Sequence, residues 1–423
     1  MLLPFVPTLL WLLLLIILAI AFYMAWNIGA NDLANSMASA VGARAITLKQ
    51  AIIFGGILAF IGAVFVGSHV TETIRKGIID PSMIGDAKII GIGAASALLG
   101  ASIWITIATW KALPISTTHS IVGGMIGFGL IAGGIHVVNW AKIGSIAASW
   151  LLSPIVGGIL SYFVFKSLTA FILDRKHPID AAKRICPVFI GLTFFIMALS
   201  IFLKTPLGDK LQLTDGQSVL IALGVAVSAG TIGGLIVLRF IAIKHPAPHD
   251  LDAIYHTVEE IFRRLQIMTS CYVAFALGAN DVANAIGPAS AAYTVITTGG
   301  IGKEVAVPYY LLVLGGFGIA IGMATWGYRV VKTIGTKITK LTNTRGFSID
   351  FGGATSVLIA SKLGMPVSTT HAVVGAVIGV GLSRGLDAVD LSIIKKIVYS
   401  WLITLPVAAT TTCGIFLFIT SII

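Results

Sequence analysis

The sequence predicts an all-α polytopic membrane protein of about twelve transmembrane segments, arranged as two inverted-topology repeats with broken or re-entrant helices. Three observations predict it: a composition too apolar for a water-soluble domain, a succession of apolar stretches of bilayer length, and an internal duplication of polar motifs.

The composition comes first. Of 423 residues, 57% are hydrophobic and 11% charged, where a soluble domain carries roughly 25% charge. So little polar surface can be solvated only if lipid covers the remainder. The net charge of +11 is not a nucleic-acid signal, because the basic residues lie mainly between apolar stretches and no nucleic-acid-binding motif is present. Cys186, Cys271 and Cys413 are widely spaced in apolar sequence and suggest neither a disulfide framework nor a metal cluster. The first apolar stretch has no basic run before it, and cleavage after it would remove part of a polar motif. It reads as a span rather than a signal peptide.

The apolar segments fall at 5–38, 50–71, 88–110, 115–135, 143–169, 186–203, 217–240, 266–290, 306–330, 351–363, 367–383 and 395–421. The first is long and is expected to break near Asn27 to Asn35; the short pair 351–363 and 367–383 can be the halves of a re-entrant hairpin. The connections after odd-numbered spans hold 20 of the 28 Lys and Arg, with Arg175, Lys176, Lys183, Arg184, Arg239, Lys244, Arg263, Arg264, Lys332, Lys337, Lys340 and Arg345 contributing most. The positive-inside rule puts those connections in the cytoplasm and both termini outside, in a multi-pass protein of the cell inner (plasma) membrane. The connection from His245 to Gln266 carries Leu251, Ile254, Val258, Ile261 and Phe262 at helical spacing. It fits an amphipathic helix on the cytoplasmic face or, equally, a linker helix packed on the bundle.

The halves repeat. Gly29-Ala30-Asn31-Asp32-Leu33-Ala34-Asn35-Ser36 returns as Gly278-Ala279-Asn280-Asp281-Val282-Ala283-Asn284-Ala285; Pro114-Ile115-Ser116-Thr117-Thr118-His119 returns as Pro366-Val367-Ser368-Thr369-Thr370-His371; Ser149-Trp150-Leu151 returns as Ser400-Trp401-Leu402. The offsets are 249, 252 and 251 residues. Seven crossings separate the copies, and an odd number inverts the second; removing one hairpin from the count leaves the parity intact. The chain divides into a first repeat at 1–170, a link at 171–264 with two transmembrane helices and the cytoplasmic connection, and a second repeat at 265–423.

Each block has a chemistry. Asn31, Asp32 and Asn35, with Asn280, Asp281 and Asn284, put oxygen ligands inside an apolar bundle, where unsatisfied polar groups are costly. Together with carbonyls freed at a helix break, to which Gly29 and Gly278 would contribute, they suit a small cation; the plainer alternative is that they cap broken helices or bind the two repeats together. The Pro-x-Ser-Thr-Thr-His blocks read as a helix stop and restart: Pro114 and Pro366 interrupt, while Ser116, Thr117, Ser368 and Thr369 can cap the next helix. A helix start offers free N–H groups and the positive end of a dipole, and Thr118 and Thr370 add hydroxyls. This suits a tetrahedral oxyanion without a buried Lys or Arg. His119 and His371 fit a structural hydrogen bond better than proton coupling or gating and form no metal-ligand pattern. Lys111 and Lys362 suit the membrane interface. No P-loop pattern is present, which disfavours a nucleotide-driven pump. No nucleophile–base–orienter set can be assigned, which disfavours an enzyme. A channel would differ from a carrier in lacking coupling.

On the duplicated Gly-Ala-Asn-Asp and Ser-Thr-Thr-His blocks, the sequence resembles the inorganic phosphate transporter family, PiT or Pho-4, over nearly its whole length. The resemblance implies a twelve-helix inverted-repeat fold, no cofactor, and import of inorganic phosphate across the lipid bilayer by Na⁺ or H⁺ symport with alternating access, Na⁺ being favoured. H⁺-coupled phosphate or metal–phosphate symport and a sulfate permease of the same family are the alternatives, and a homo-oligomer stays open. It further implies Na⁺ contacts from Asn31, Asp32, Asn35, Asn280, Asp281 and Asn284, and phosphate contacts from Ser116, Thr117, Thr118, Ser368, Thr369, Thr370, Asn31 and Asn280. Pro288, after the second signature, has no counterpart in the first copy, so the halves need not act equally. The short central connection favours a microbial protein.

Overall fold

A computed structural model gives the architecture and describes residues 8–203, 205–240, 250–298, 306–331, 341–383 and 391–422. Lys244, Lys332, Lys337 and Lys340 of the orientation argument lie outside the described residues, as do 5–7 and the start of the central connection at 245–249.

Among the described residues the main elements are helices: α1 Thr8–Gly42, α2 Leu48–Val66, α3 Ser68–Gly77, α4 Ala87–Trp110, α5 Thr117–Gly133, α6 Trp140–Leu168, α7 Pro178–Phe202, a short α8 Pro206–Lys210, α9 Asp215–Phe240, α10 Leu251–Thr298, α11 Tyr309–Thr325, α12 Asn343–Lys362, α13 Thr369–Leu382 and α14 Leu391–Ile422. Among the described residues, seven helices are long and apolar enough to cross a membrane, and α5, α11 and α13 are shorter apolar helices. The protein is a multi-pass membrane protein.

Polar caps set the helix ends. Thr47 and Gln50 form a reciprocal capping box at α2, Asp86 caps α4, and Asn139 caps α6. Helices α1 and α10 pack together at the centre. Each carries a neighbour, α11 on α1 and α2 on α10. Two hairpins, α4–α5 and α12–α13, flank them. The first hairpin packs on α14 and the second on α6, while α7 and α9 form a pair at the periphery.

Two expectations are corrected here, and one pair of alternatives is decided. The duplicated Asn/Asp motifs do not break their helices: α1 runs unbroken through Asn27 to Asn35, and α10 through Gly278 and Pro288. Gly29 and Gly278 serve close approach instead. A Cβ at Gly29 would meet the backbone carbonyl of Ile319 in α11, and one at Gly278 the carbonyl of Ala59 in α2. The chain breaks between α4 and α5 and between α12 and α13, where proline and serine stop one helix and cap the next.

The amphipathic stretch before Gln266 is not a separate helix on the membrane surface but the first turns of the 48-residue α10. Val258, Ile261 and Phe262 are fully buried against protein, in a cluster with Leu168, Ile172, Cys186 and Phe347. The bundle-packed alternative holds, because protein rather than lipid covers that face. Finally, α12 begins at Asn343, eight residues before the expected segment at 351. Its first turns hold Thr344, Ser348 and Asp350, all buried in protein, so hydropathy hides them. Glu259 of α10 accepts from the Thr344 N–H at 3.1 Å and its hydroxyl at 2.6 Å, meeting the free donors of that helix start.

The glycine contacts generate a test. Gly278→Leu would drive a side chain into the α2 backbone at a cost well beyond the about 1–3 kcal/mol of ordinary overpacking, and detergent size-exclusion chromatography would show loss of the folded peak. Gly224→Leu, in α9 with nothing near its Cβ direction, leaves that peak intact.

Candidate functional site

The hairpin turns are extended backbone ending in a serine cap. Ser116 Oγ accepts from the His119 N–H at 3.2 Å, and Ser368 Oγ from the His371 N–H at 3.3 Å. The cap satisfies the third donor of each helix. The N–H groups of Thr117 and Thr118, and of Thr369 and Thr370, come before it in the first turn and have no intrahelical acceptor. All four threonines and both serines are buried.

Asn31 clamps the first turn to α1. Its amide nitrogen donates to Thr109 Oγ1 at 3.0 Å and the Leu113 carbonyl at 3.1 Å, and its oxygen accepts from the Ile115 N–H at 3.3 Å. Asn280 does the same in the second half, donating to the Val367 carbonyl at 2.7 Å and accepting from the Val367 N–H at 3.4 Å. Asp32 accepts from Asn35 and from Thr117 Oγ1, both at 3.0 Å. Asp281 accepts from Asn280 at 2.6 Å and from Thr369 Oγ1 at 3.0 Å. Both carboxylates are fully buried.

The two halves interlock through the remaining groups. Asn35 donates to Thr370 Oγ1 at 2.9 Å, and Asn284 to Thr118 Oγ1 at 3.1 Å. Thr118 Oγ1 donates to the Val367 carbonyl at 3.0 Å, and Thr370 Oγ1 to the Ile115 carbonyl at 3.2 Å. Each motif helix thus holds its own hairpin turn through the aspartate and the opposite turn through the second asparagine. All twelve residues singled out in the sequence meet in one buried cluster. Among the described residues, Asn284 Oδ1 is buried and accepts nothing. Pro288 lies four residues after Asn284 and has no N–H, so the Asn284 carbonyl also lacks its helical donor.

The imidazoles of His119 and His371 make the expected structural bonds, to the carbonyls of Trp401 and Trp150. Lys362 donates to the carbonyls of Ser200 and Leu203 at the end of α7. Lys111 is exposed.

One group escaped the sequence reading. Asp350 of α12 is buried and accepts from Ser39 Oγ at 2.7 and 2.9 Å and from Ser270 Oγ at 2.5 Å. Ser39 lies one turn beyond Asn35 on α1. An acid one residue outside the boundary drawn at 351 was the available signal. Among the described residues, no three His, Cys, Asp or Glu side chains form a metal-holding group, so any bound cation would take mainly amide, hydroxyl, carbonyl and single carboxylate oxygens.

A multi-helix membrane fold enclosing such a cluster defines a transport protein rather than an enzyme. Residues 28–412 match the model of the phosphate transporter family. The chain is 54% identical over 406 residues to a candidate phosphate permease of Pyrococcus abyssi, covering 96% of this chain and 97% of that one. It is 40% identical to the chloroplastic inorganic phosphate transporter 2-1 of Arabidopsis thaliana, covering 93% of this chain and 70% of that protein. A solved structure of a sodium-dependent phosphate transporter superposes with a TM-score of 0.90 at 45% identity, covering 97% of this chain and all of that one. The chain belongs to the phosphate transporter family and is a secondary transporter.

The cross-half bond is open to direct measurement. In thermal unfolding of the purified protein, Asn35→Ala and Thr370→Ala should be non-additive by about 0.5–3 kcal/mol. Asn35→Ala combined with Thr193→Ala, whose hydroxyl turns back onto its own helix, should be additive within about 0.5 kcal/mol.

Proposed function

We propose that the protein imports inorganic phosphate by Na⁺ symport with alternating access, binding phosphate between the starts of α5 and α13 and Na⁺ at the Asp32 and Asp281 blocks. The observation that carries this is the meeting of two helix starts, each with free N–H groups, beside two buried carboxylates. Ser116, Thr117, Thr118, Ser368, Thr369 and Thr370 surround the anion, with Asn31 and Asn280 holding the turns. Asn31, Asp32, Asn35, Asn280, Asp281 and Asn284 supply the oxygen atoms for cations.

Electrostatics requires the cations. Each helix start offers about half a positive charge. Two of them cannot offset a phosphate dianion together with two buried carboxylates, and uncompensated charge in such a place is costly. Both oxygens of each carboxylate already accept a hydrogen bond. Carboxylate, amide and hydroxyl oxygens together suit a small hard metal cation, and a solved relative is named as a sodium-dependent phosphate transporter. Both favour Na⁺ over H⁺. The free Asn284 Oδ1 can accept from a P–OH group, which sulfate lacks at neutral pH, and the names of the relatives point the same way.

The matched contacts of the two halves support an inverted repeat of 1–170 against 265–423, joined by 171–264. Among the described residues, twelve helices have 14 residues or more, in keeping with about twelve membrane segments, the short pair α12 and α13 being the candidate re-entrant hairpin. Charge counting supports a plasma-membrane orientation with both termini outside.

Labelled phosphate uptake into proteoliposomes tests the reading. An inward Na⁺ gradient should drive accumulation, and Asp32→Asn or Asp281→Asn should each abolish it. Accumulation with an H⁺ gradient alone would move the coupling to protons. Uptake of labelled sulfate in place of phosphate would overturn the substrate.

A further inference from the structure

The imidazoles of the two Ser-Thr-Thr-His blocks do more than fill space behind the anion site. His119 lies against the ring of Trp150 with centroids 3.8 Å apart, while its Nδ1 meets the carbonyl of Trp401 at 3.4 Å. His371 stacks on the ring of Trp401 at 3.5 Å, while its Nδ1 meets the carbonyl of Trp150 at 3.1 Å. The two imidazoles meet edge to face at 4.6 Å. Each histidine thus packs its ring on one tryptophan, tilted in the first case and stacked in the second, and bonds the backbone of the other. The four rings form one block that ties the starts of α5 and α13 to each other and to α6 and α14. A carbonyl only accepts, so each Nδ1 carries the proton.

The two bonds are not equivalent, for a covalent reason. Trp150 stands four residues before Pro154, which lies inside α6 and has no N–H. The Trp150 carbonyl has lost its helical donor, and His371 replaces it. Trp401 stands four residues before Leu405, whose N–H is available. His119 therefore adds a second donor to a carbonyl that already has one, and its bond is the longer. Loss of His371 leaves a buried acceptor unmet, which costs more than loss of a supplementary bond.

We propose that His119 and His371 are positioning residues for the transported anion. They fix the spacing at which the free N–H groups of Thr117 and Thr118 face those of Thr369 and Thr370, and His371 carries the larger share through the carbonyl that Pro154 leaves open. The proposal rests on the phosphate-symport reading of this site.

Initial rates of Na⁺-driven phosphate uptake in proteoliposomes, with thermal unfolding of each purified variant, test it. His371→Ala should raise KM for phosphate about three- to tenfold, and His119→Ala should raise it by a smaller factor. His371→Asn, whose amide N–H can take the place of Nδ1–H, should restore most of the affinity. Pro154→Ala returns an N–H to the Trp150 carbonyl, so on that background His371→Ala should raise KM less than it does alone. Falls in Vmax or unfolding temperature with KM unchanged would make the histidines merely structural and overturn the proposal. A KM effect of His119→Ala equal to or larger than that of His371→Ala, or no relief by Pro154→Ala, would overturn the asymmetry. If the unsubstituted protein accumulates no phosphate, the symport reading falls and this proposal falls with it; if it does and the variants share its KM, only the positioning role falls.

Discussion

The structure depends on one constraint: the polar groups in the middle of this bundle are buried in an apolar surround, where each is costly unless partnered. An unmet amide, hydroxyl or carboxylate in an apolar interior costs several kcal/mol. The chain meets that cost by crossing its two halves over one another. Asn35 reaches Thr370 and Asn284 reaches Thr118. Asp32 and Asp281 hold their own hairpin turns. The groups that would recognise the ions are the same groups that hold the halves together, so a change in the ions bound has a direct route to a change in how the halves sit. What the cluster leaves over, the N–H groups of two helix starts and the oxygens around two buried acids, matches an anion accompanied by cations.

Much of this was legible in the sequence, because a costly residue kept in two copies announces itself. All twelve motif residues came together, and the serine caps at Ser116 and Ser368 start the helices expected of them. The parts that were not legible share a cause: the sequence does not say what covers a face. Gly29 and Gly278 look like helix breakers until α11 and α2 are seen pressed against them. The face bearing Val258, Ile261 and Phe262 looks ready for lipid until it is found under α7 and α12. Asp350 was lost at a segment boundary drawn by hydropathy, since a polar helix start buried in protein does not differ in sequence from a loop. The tryptophans of the Ser-Trp-Leu repeat were visible as a repeat, but their carbonyls, which are what the histidines use, have no side-chain signature.

The symmetry is close without being complete, and the departures are concentrated where function would use them. Pro288 frees the Asn284 carbonyl in the second half only, and Pro154 frees the Trp150 carbonyl. Asp350, with Ser39 and Ser270, forms a buried acidic group to one side of the cluster. A carrier that works in one direction under a gradient has no need of equal halves.

The central claim is that anion and cation occupy one interlocked site, and equilibrium binding of labelled phosphate to the purified protein tests it most directly. The account predicts one phosphate bound per chain, only when Na⁺ is present, with binding lost in the Asp32→Asn, Asp281→Asn double variant. Phosphate binding of equal strength without Na⁺, or binding retained by that double variant, would contradict it.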